Sequence, residues 1–89
     1  MDDGSTLRPS QVMYQDTSND ALYAAAKSTF GGNVRRVRKL QKLSQEELGL
    51  KINVDQAYIS RVESGTLNPT IESIAEIAQA LNVKISELF

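Results

Sequence analysis

The apolar residues of the second half of this chain recur at helical spacing, and the first fifth shows no such order. Phe30, Val34, Val37 and Leu40 follow one another at intervals of three and four, which predicts a helix with a greasy stripe beneath an Arg/Lys face. Leu43 closes that segment. Leu48, Ile52, Val54, Ile59 and Val62 are the positions expected to press two further short helices together, with small Gly49 letting the second approach the first. Ile71, Ile74, Ile77, Ala78 and Leu81 mark the buried face of another helix, and Leu88 and Phe89 a last turn. No segment has the alternating period of a strand, so the pattern predicts an all-α fold of five short helices.

Polar residues at the borders sharpen these limits. Ser44 is suited to cap a helix, and Glu47 three positions on completes a capping box. Asn53 suits a left-handed turn position and Asp55 offers a second N-cap, so a new helix is predicted from Gln56 to a stop at Gly65. Two helices joined by a tight turn result. Asn68-Pro69-Thr70 makes a rigid connection whose Thr70 caps the next helix, Asn82 is a left-handed stop, and Ser86 is expected to cap the final turn.

Residues 1–28 read as a polar, flexible N-terminal arm, and residues 29–89 as the folded domain. Within the arm Ala21-Leu22-Tyr23-Ala24-Ala25-Ala26-Lys27 has high helix propensity, which predicts a short helix near 20–28. Gly31-Gly32 is expected to end that helix or to join it to the next by a bend.

With 89 residues there is room for one domain and a tail, and a large enclosed active site is not expected. The chain has no cysteine and no histidine, which removes disulfides, thiolate metal sites and the commonest general base. No cofactor or metal is expected, and an enzyme is disfavoured, because Glu46, Glu47, Glu72 and Glu76 are accounted for by capping and solvation. No apolar run approaches a membrane span, and Asp2-Asp3 stands where a signal peptide would be basic, so a cytoplasmic protein is expected. Net charge is −1, but Arg35, Arg36, Arg38, Lys39 and Lys42 are gathered within eight residues while acids load the tail and the C-terminal part.

The motifs Val34-Arg35-Arg36-Val37-Arg38, Ser44-Gln45-Glu46-Glu47-Leu48, Tyr58-Ile59-Ser60-Arg61-Val62-Glu63-Ser64-Gly65, Asn68-Pro69-Thr70 and Glu87-Leu88-Phe89 together resemble the XRE-type helix-turn-helix family, which includes the phage Cro and repressor domains. The resemblance runs from about Phe30 to Phe89. It implies a compact, phage-repressor-like five-helix domain that binds double-stranded DNA, usually as a symmetric dimer, to regulate transcription. Two positions depart from the family pattern. Lys42 stands where glycine is common in the loop, and Gly49 replaces the usual alanine, at a cost of up to about 1 kcal/mol in helix propensity.

In such a domain the second helix of the pair lies in the major groove. Gln56, Ala57, Ser60 and Arg61 are the candidates for base contact: Gln56 for adenine N6 and N7, Arg61 for guanine O6 and N7, and Ala57 for a thymine methyl. Gln45, at the start of the first helix of the pair, is a candidate for the phosphate backbone, where the resemblance also places a contact. Arg35, Arg36 and Lys39 suit phosphates, one or two of them being expected to touch DNA and the rest to form a solvated face. Tyr58 has two readings, at the groove wall or packed inside, and Asn68 has two, a phosphate contact or a cap for the following helix. The resemblance pairs Arg38 with Glu63 as a structural ion pair that sets the tilt of the recognition helix.

The leading functional expectation is a small dimeric repressor or controller-type regulator on a palindromic operator. The alternative is an antitoxin that also regulates its own operon, with the arm folding onto a toxin partner. The dimer seam is sought at Ile85, Leu88 and Phe89, whose other reading is burial against the first domain helix.

Overall fold

A computed structural model describes residues 16–89, all of them helix or connecting turn. The helices are α1 (Asp16–Leu40), α2 (Gln45–Lys51), α3 (Gln56–Ser64) and α4 (Ile71–Leu81), followed by a four-residue 3₁₀ turn, Ile85–Leu88. Four α-helices thus stand where five were expected. The last element is too short for an α-helical turn to propagate, and it has no side-chain cap: Lys84, not Ser86, occupies the capping position. The part of the expected arm before Asp16 lies outside the described residues. No helix among the described residues is long and apolar enough to cross a membrane.

The helices α2, α3 and α4 begin, and all four α-helices end, by identifiable chemistry. The Ser44 hydroxyl accepts from the Glu47 N–H at 2.9 Å and the Glu47 carboxylate accepts from the Ser44 N–H at 2.8 Å, a complete capping box. Asp55 accepts from the Tyr58 N–H, and Thr70 from the Ser73 N–H. At the other end all four helices close with a left-handed residue followed by a six-to-one backbone bond: Leu43 N to Arg38 O, Val54 N to Gly49 O, Thr66 N to Arg61 O and Val83 N to Ala78 O. The left-handed residues are Lys42, Asn53, Gly65 and Asn82, with φ of 60, 63, 77 and 59°. Lys42 therefore carries the strain expected of a side chain in this conformation, about 1 kcal/mol.

The expected break at Gly31-Gly32 does not occur, and α1 runs unbroken through both residues. The reason is tertiary. A Cβ on Gly31 would collide with the backbone oxygen of Val62 and stand 2.8 Å from that of Glu63, so the missing side chain lets α1 close against the last turn of α3. Gly49 serves likewise: a Cβ there would meet the Val54 oxygen at 2.6 Å and the Asp55 oxygen at 3.2 Å. In this chain the glycine that departs from the family pattern is what the close turn between α2 and α3 requires.

The core gathers Phe30, Val34 and Val37 of α1, Leu48 of α2, Ile59 and Val62 of α3, Ile77, Ala78 and Leu81 of α4, and Leu88. Ile52, Val54 and Ile74 are half-buried against it. Two residues expected inside are outside: Leu40 is 70% and Ile71 78% exposed. The buried face of α1 turns towards α3 through Gly31 and Arg38, which leaves Leu40 on the far side, and Ile71 is the first residue of α4, ahead of the packed part of the helix. Two amides tie the ends of the bundle, Gln41 donating to the Leu81 carbonyl at 2.6 Å and Asn33 to the Leu88 carbonyl at 3.1 Å.

Candidate nucleic-acid interface

The pair α2–α3 is held to α1 by one buried ion pair. Arg38 Nε donates to Glu63 Oε2 at 2.6 Å and Nη2 to Oε1 at 3.0 Å, while Nη1 donates to the Leu43 carbonyl at 2.8 Å. The two side chains are 9% and 3% exposed. One guanidinium thus joins α1, the turn after it and α3, and bonds of this number offset the cost of taking both charges out of water. The hydrogen bonds to Glu63, helped by its charge and opposed by burial, hold the Arg38 guanidinium above its ordinary value, so it stays protonated at any working pH.

α3 carries the candidate reading residues on its outer side. Gln56 and Ser60 are four apart, as are Ala57 and Arg61, so they form two adjacent rows on one face. Gln56, Ala57 and Arg61 are exposed and Ser60 is half-buried. Tyr58 is half-buried with its ring packed against the core, the inward of its two readings.

Gln45 differs from a free phosphate donor. It is half-buried, its Nε2 donates to Glu63 Oε1 at 3.0 Å, and its Oε1 accepts from Gln56 Nε2. These bonds connect the buried ion pair to the exposed reading face across separations of 18 and 11 residues, and sequence spacing carries no signal for them.

On α1, Arg35, Arg36 and Lys39 are all exposed, but they are not equivalent. Arg35 stands four residues after Gly31 and three before Arg38, both of which face α3, so it shares their side of the helix. Arg36 is turned about 100° further from α3, and Lys39 stands between them. Asn68 is exposed in the α3–α4 connection and Thr70, not Asn68, caps α4, which removes the capping role weighed for Asn68.

A compact helical domain in which a short, tightly turned helix pair presents polar and basic side chains from its second helix is a helix-turn-helix domain. The family model described as helix-turn-helix matches residues 34–88, and the chain belongs to the XRE-type helix-turn-helix family. It is 41% identical over 58 residues to the HTH-type transcriptional regulator y4dJ of Sinorhizobium fredii, covering 65% of this chain and 75% of that protein. With the regulator y4dL of the same organism it shares 38% identity over 52 residues, but there the match spans only 26% of the relative's length. The crystal structure of the restriction-modification controller protein C.AhdI from Aeromonas hydrophila superposes with a TM-score of 0.71 at 34% identity, covering 75% of this chain and 97% of that one.

Proposed function

We propose that this chain is a sequence-specific, double-stranded-DNA-binding transcriptional regulator that acts as a homodimer on a two-fold symmetric operator, in the manner of a small repressor or controller protein. The observation that carries this reading is the exposed face bearing Gln56, Ala57 and Arg61 on a helix whose tilt is locked by the Arg38–Glu63 pair. With α3 in the major groove, Arg61 forks onto guanine, Gln56 meets adenine and Ala57 touches a thymine methyl. Arg35 and Lys39 take phosphates on the side of α1 nearest α3, and Asn68 donates to a phosphate from the following loop. The similarity to C.AhdI, a restriction-modification controller protein, supports the same kind of activity here.

Dimerisation follows from the affinity needed. A single small domain makes few base contacts, and two half-sites about one helical turn apart supply the rest. Leu88 is fully buried in its own core and cannot contribute to a seam, so Ile85 and Phe89, 45% and 56% exposed, are the C-terminal apolar surface proposed to meet the partner. Phe89 also stacks on Phe30, with ring centroids 5.2 Å apart, which holds it in place. The proposed activity is binding alone, without catalysis or cofactor.

The test is selection of bound sequences from a random duplex library at physiological salt, using the full chain. Enrichment of a site with two-fold symmetry is the expected result. A folded protein that enriches no sequence would refute the proposal.

A further inference from the structure

The apolar stripe of α1 runs on beyond the part of the helix that the rest of the domain covers. Phe30, Val34 and Val37 lie in the core, and Ala26 and Tyr23 continue their row upstream at intervals of four and three. The end of α3 reaches only as far as Lys27 and Ser28, against which Gly65 lies. Upstream of that point residues 20–26 are exposed throughout, Leu22 at 64% and Tyr23 at 63%. The row also joins the C-terminal apolar surface, because Ala26, Phe30, Pro69 and Phe89 line one groove. The helix-turn-helix match begins at residue 34, so this segment lies outside it.

The charges beside the row decide what fits it. In heptad terms Tyr23 and Phe30 are a positions and Ala26 is a d, which puts Asp20 and Lys27 at successive e positions on one edge. Two antiparallel copies of this helix, related by a two-fold axis near Ala24, lay their e edges side by side, and Asp20 of each copy comes beside the partner's Lys27. A parallel pair would set each charge level with its own kind. Among the described residues the one ion pair is Arg38–Glu63, so neither Asp20 nor Lys27 is matched by another described side chain of its own chain.

We propose that the N-terminal half of α1 is a dimerisation helix that pairs antiparallel with the same helix of a second copy, burying Leu22, Tyr23 and Ala26 and extending the seam proposed at Phe89. The surface is self-complementary, apolar along its middle and of opposite charge at its two ends. So short a helical extension is marginal in water by itself, and a second copy supplies both its apolar cover and its counter-charges. The inference deepens the homodimer reading and rests on it.

The experiment is sedimentation equilibrium on five full-length proteins: wild type, Tyr23→Ala, Asp20→Lys, Lys27→Asp and the double exchange Asp20→Lys/Lys27→Asp. The substituted side chains stand outside the core, and a cooperative thermal transition checks that each variant is folded. Wild type is expected to dimerise at micromolar concentration. Tyr23→Ala and either single reversal are expected to weaken the dimer about tenfold, and the double exchange to recover most of the loss. Within one helix Asp20 and Lys27 stand about two turns apart, so recovery comes only from pairing between copies. A wild-type dimer insensitive to both reversals, or a double exchange no tighter than the single ones, overturns the inference and leaves a dimer through Ile85 and Phe89 standing. A wild type that stays monomeric overturns this pairing as well, and the symmetry of the selected DNA site then decides the homodimer reading separately.

Discussion

Arg38 and Glu63, 25 residues apart, meet through two guanidinium nitrogens and both carboxylate oxygens, at 2.6 and 3.0 Å, almost out of reach of water. Removing either partner leaves the other charge buried and unpaired. Arg38→Ala or Glu63→Ala is expected to destabilise the fold by about 3–5 kcal/mol. Urea unfolding followed by circular dichroism measures it, and a loss below about 1 kcal/mol, the range of an exposed pair, would show that the two side chains do not hold α1 to α3.

The two adjacent glycines of α1 should respond to alanine with opposite signs. Gly32 has open space where a Cβ would go, so Gly32→Ala should stabilise by about 0.5–1 kcal/mol through helix propensity. Gly31→Ala places a methyl against the Val62 and Glu63 carbonyls and should destabilise by about 1–3 kcal/mol. Thermal unfolding of the two variants is the check. Equal shifts in both would mean that α1 and α3 do not approach as closely as described.

That contrast also shows where the sequence is legible. The caps at Ser44, Asp55 and Thr70 and the left-handed stops at Asn53, Gly65 and Asn82 were predictable because each depends on residues within a turn of itself. The passage of α1 through Gly31 was not, because its cause lies in the carbonyls of α3, more than thirty residues away. Leu40 and Ile71 fit the helical period yet stand in water, since periodicity reports the phase of a stripe but not where packing ends. For the candidate site, the outward rows of α3 follow from spacing once the helix limits are known. The engagement of Gln45 by Glu63 and Gln56 leaves no mark in the sequence.

Lys42 closes α1 in a left-handed conformation at φ 60°. Lys42→Gly removes the strain and should raise stability by about 1 kcal/mol, read as a higher urea midpoint with an unchanged slope. A decrease would mean that the lysine side chain makes a compensating contact.

Arg35 and Arg36 are neighbours with different prospects at the phosphate backbone. Arg35→Ala should weaken binding to all duplexes alike and lower the slope of log affinity against log salt by about one. Arg36→Ala, on the side of α1 turned from α3, should leave that slope unchanged. Anisotropy titrations over a salt series distinguish the two, and identical slopes in both variants would contradict the proposed placement of DNA along α1.

The most direct test of the account is the specificity ratio of Arg61→Ala. With the selected operator and a scrambled duplex of equal length at the same salt, wild type should prefer the operator, and Arg61→Ala should lose about 1–3 kcal/mol of discrimination at one base pair per half-site. Its binding to the scrambled duplex should fall far less. If Arg61→Ala discriminates as wild type does, the outer face of α3 does not read DNA and the account is wrong.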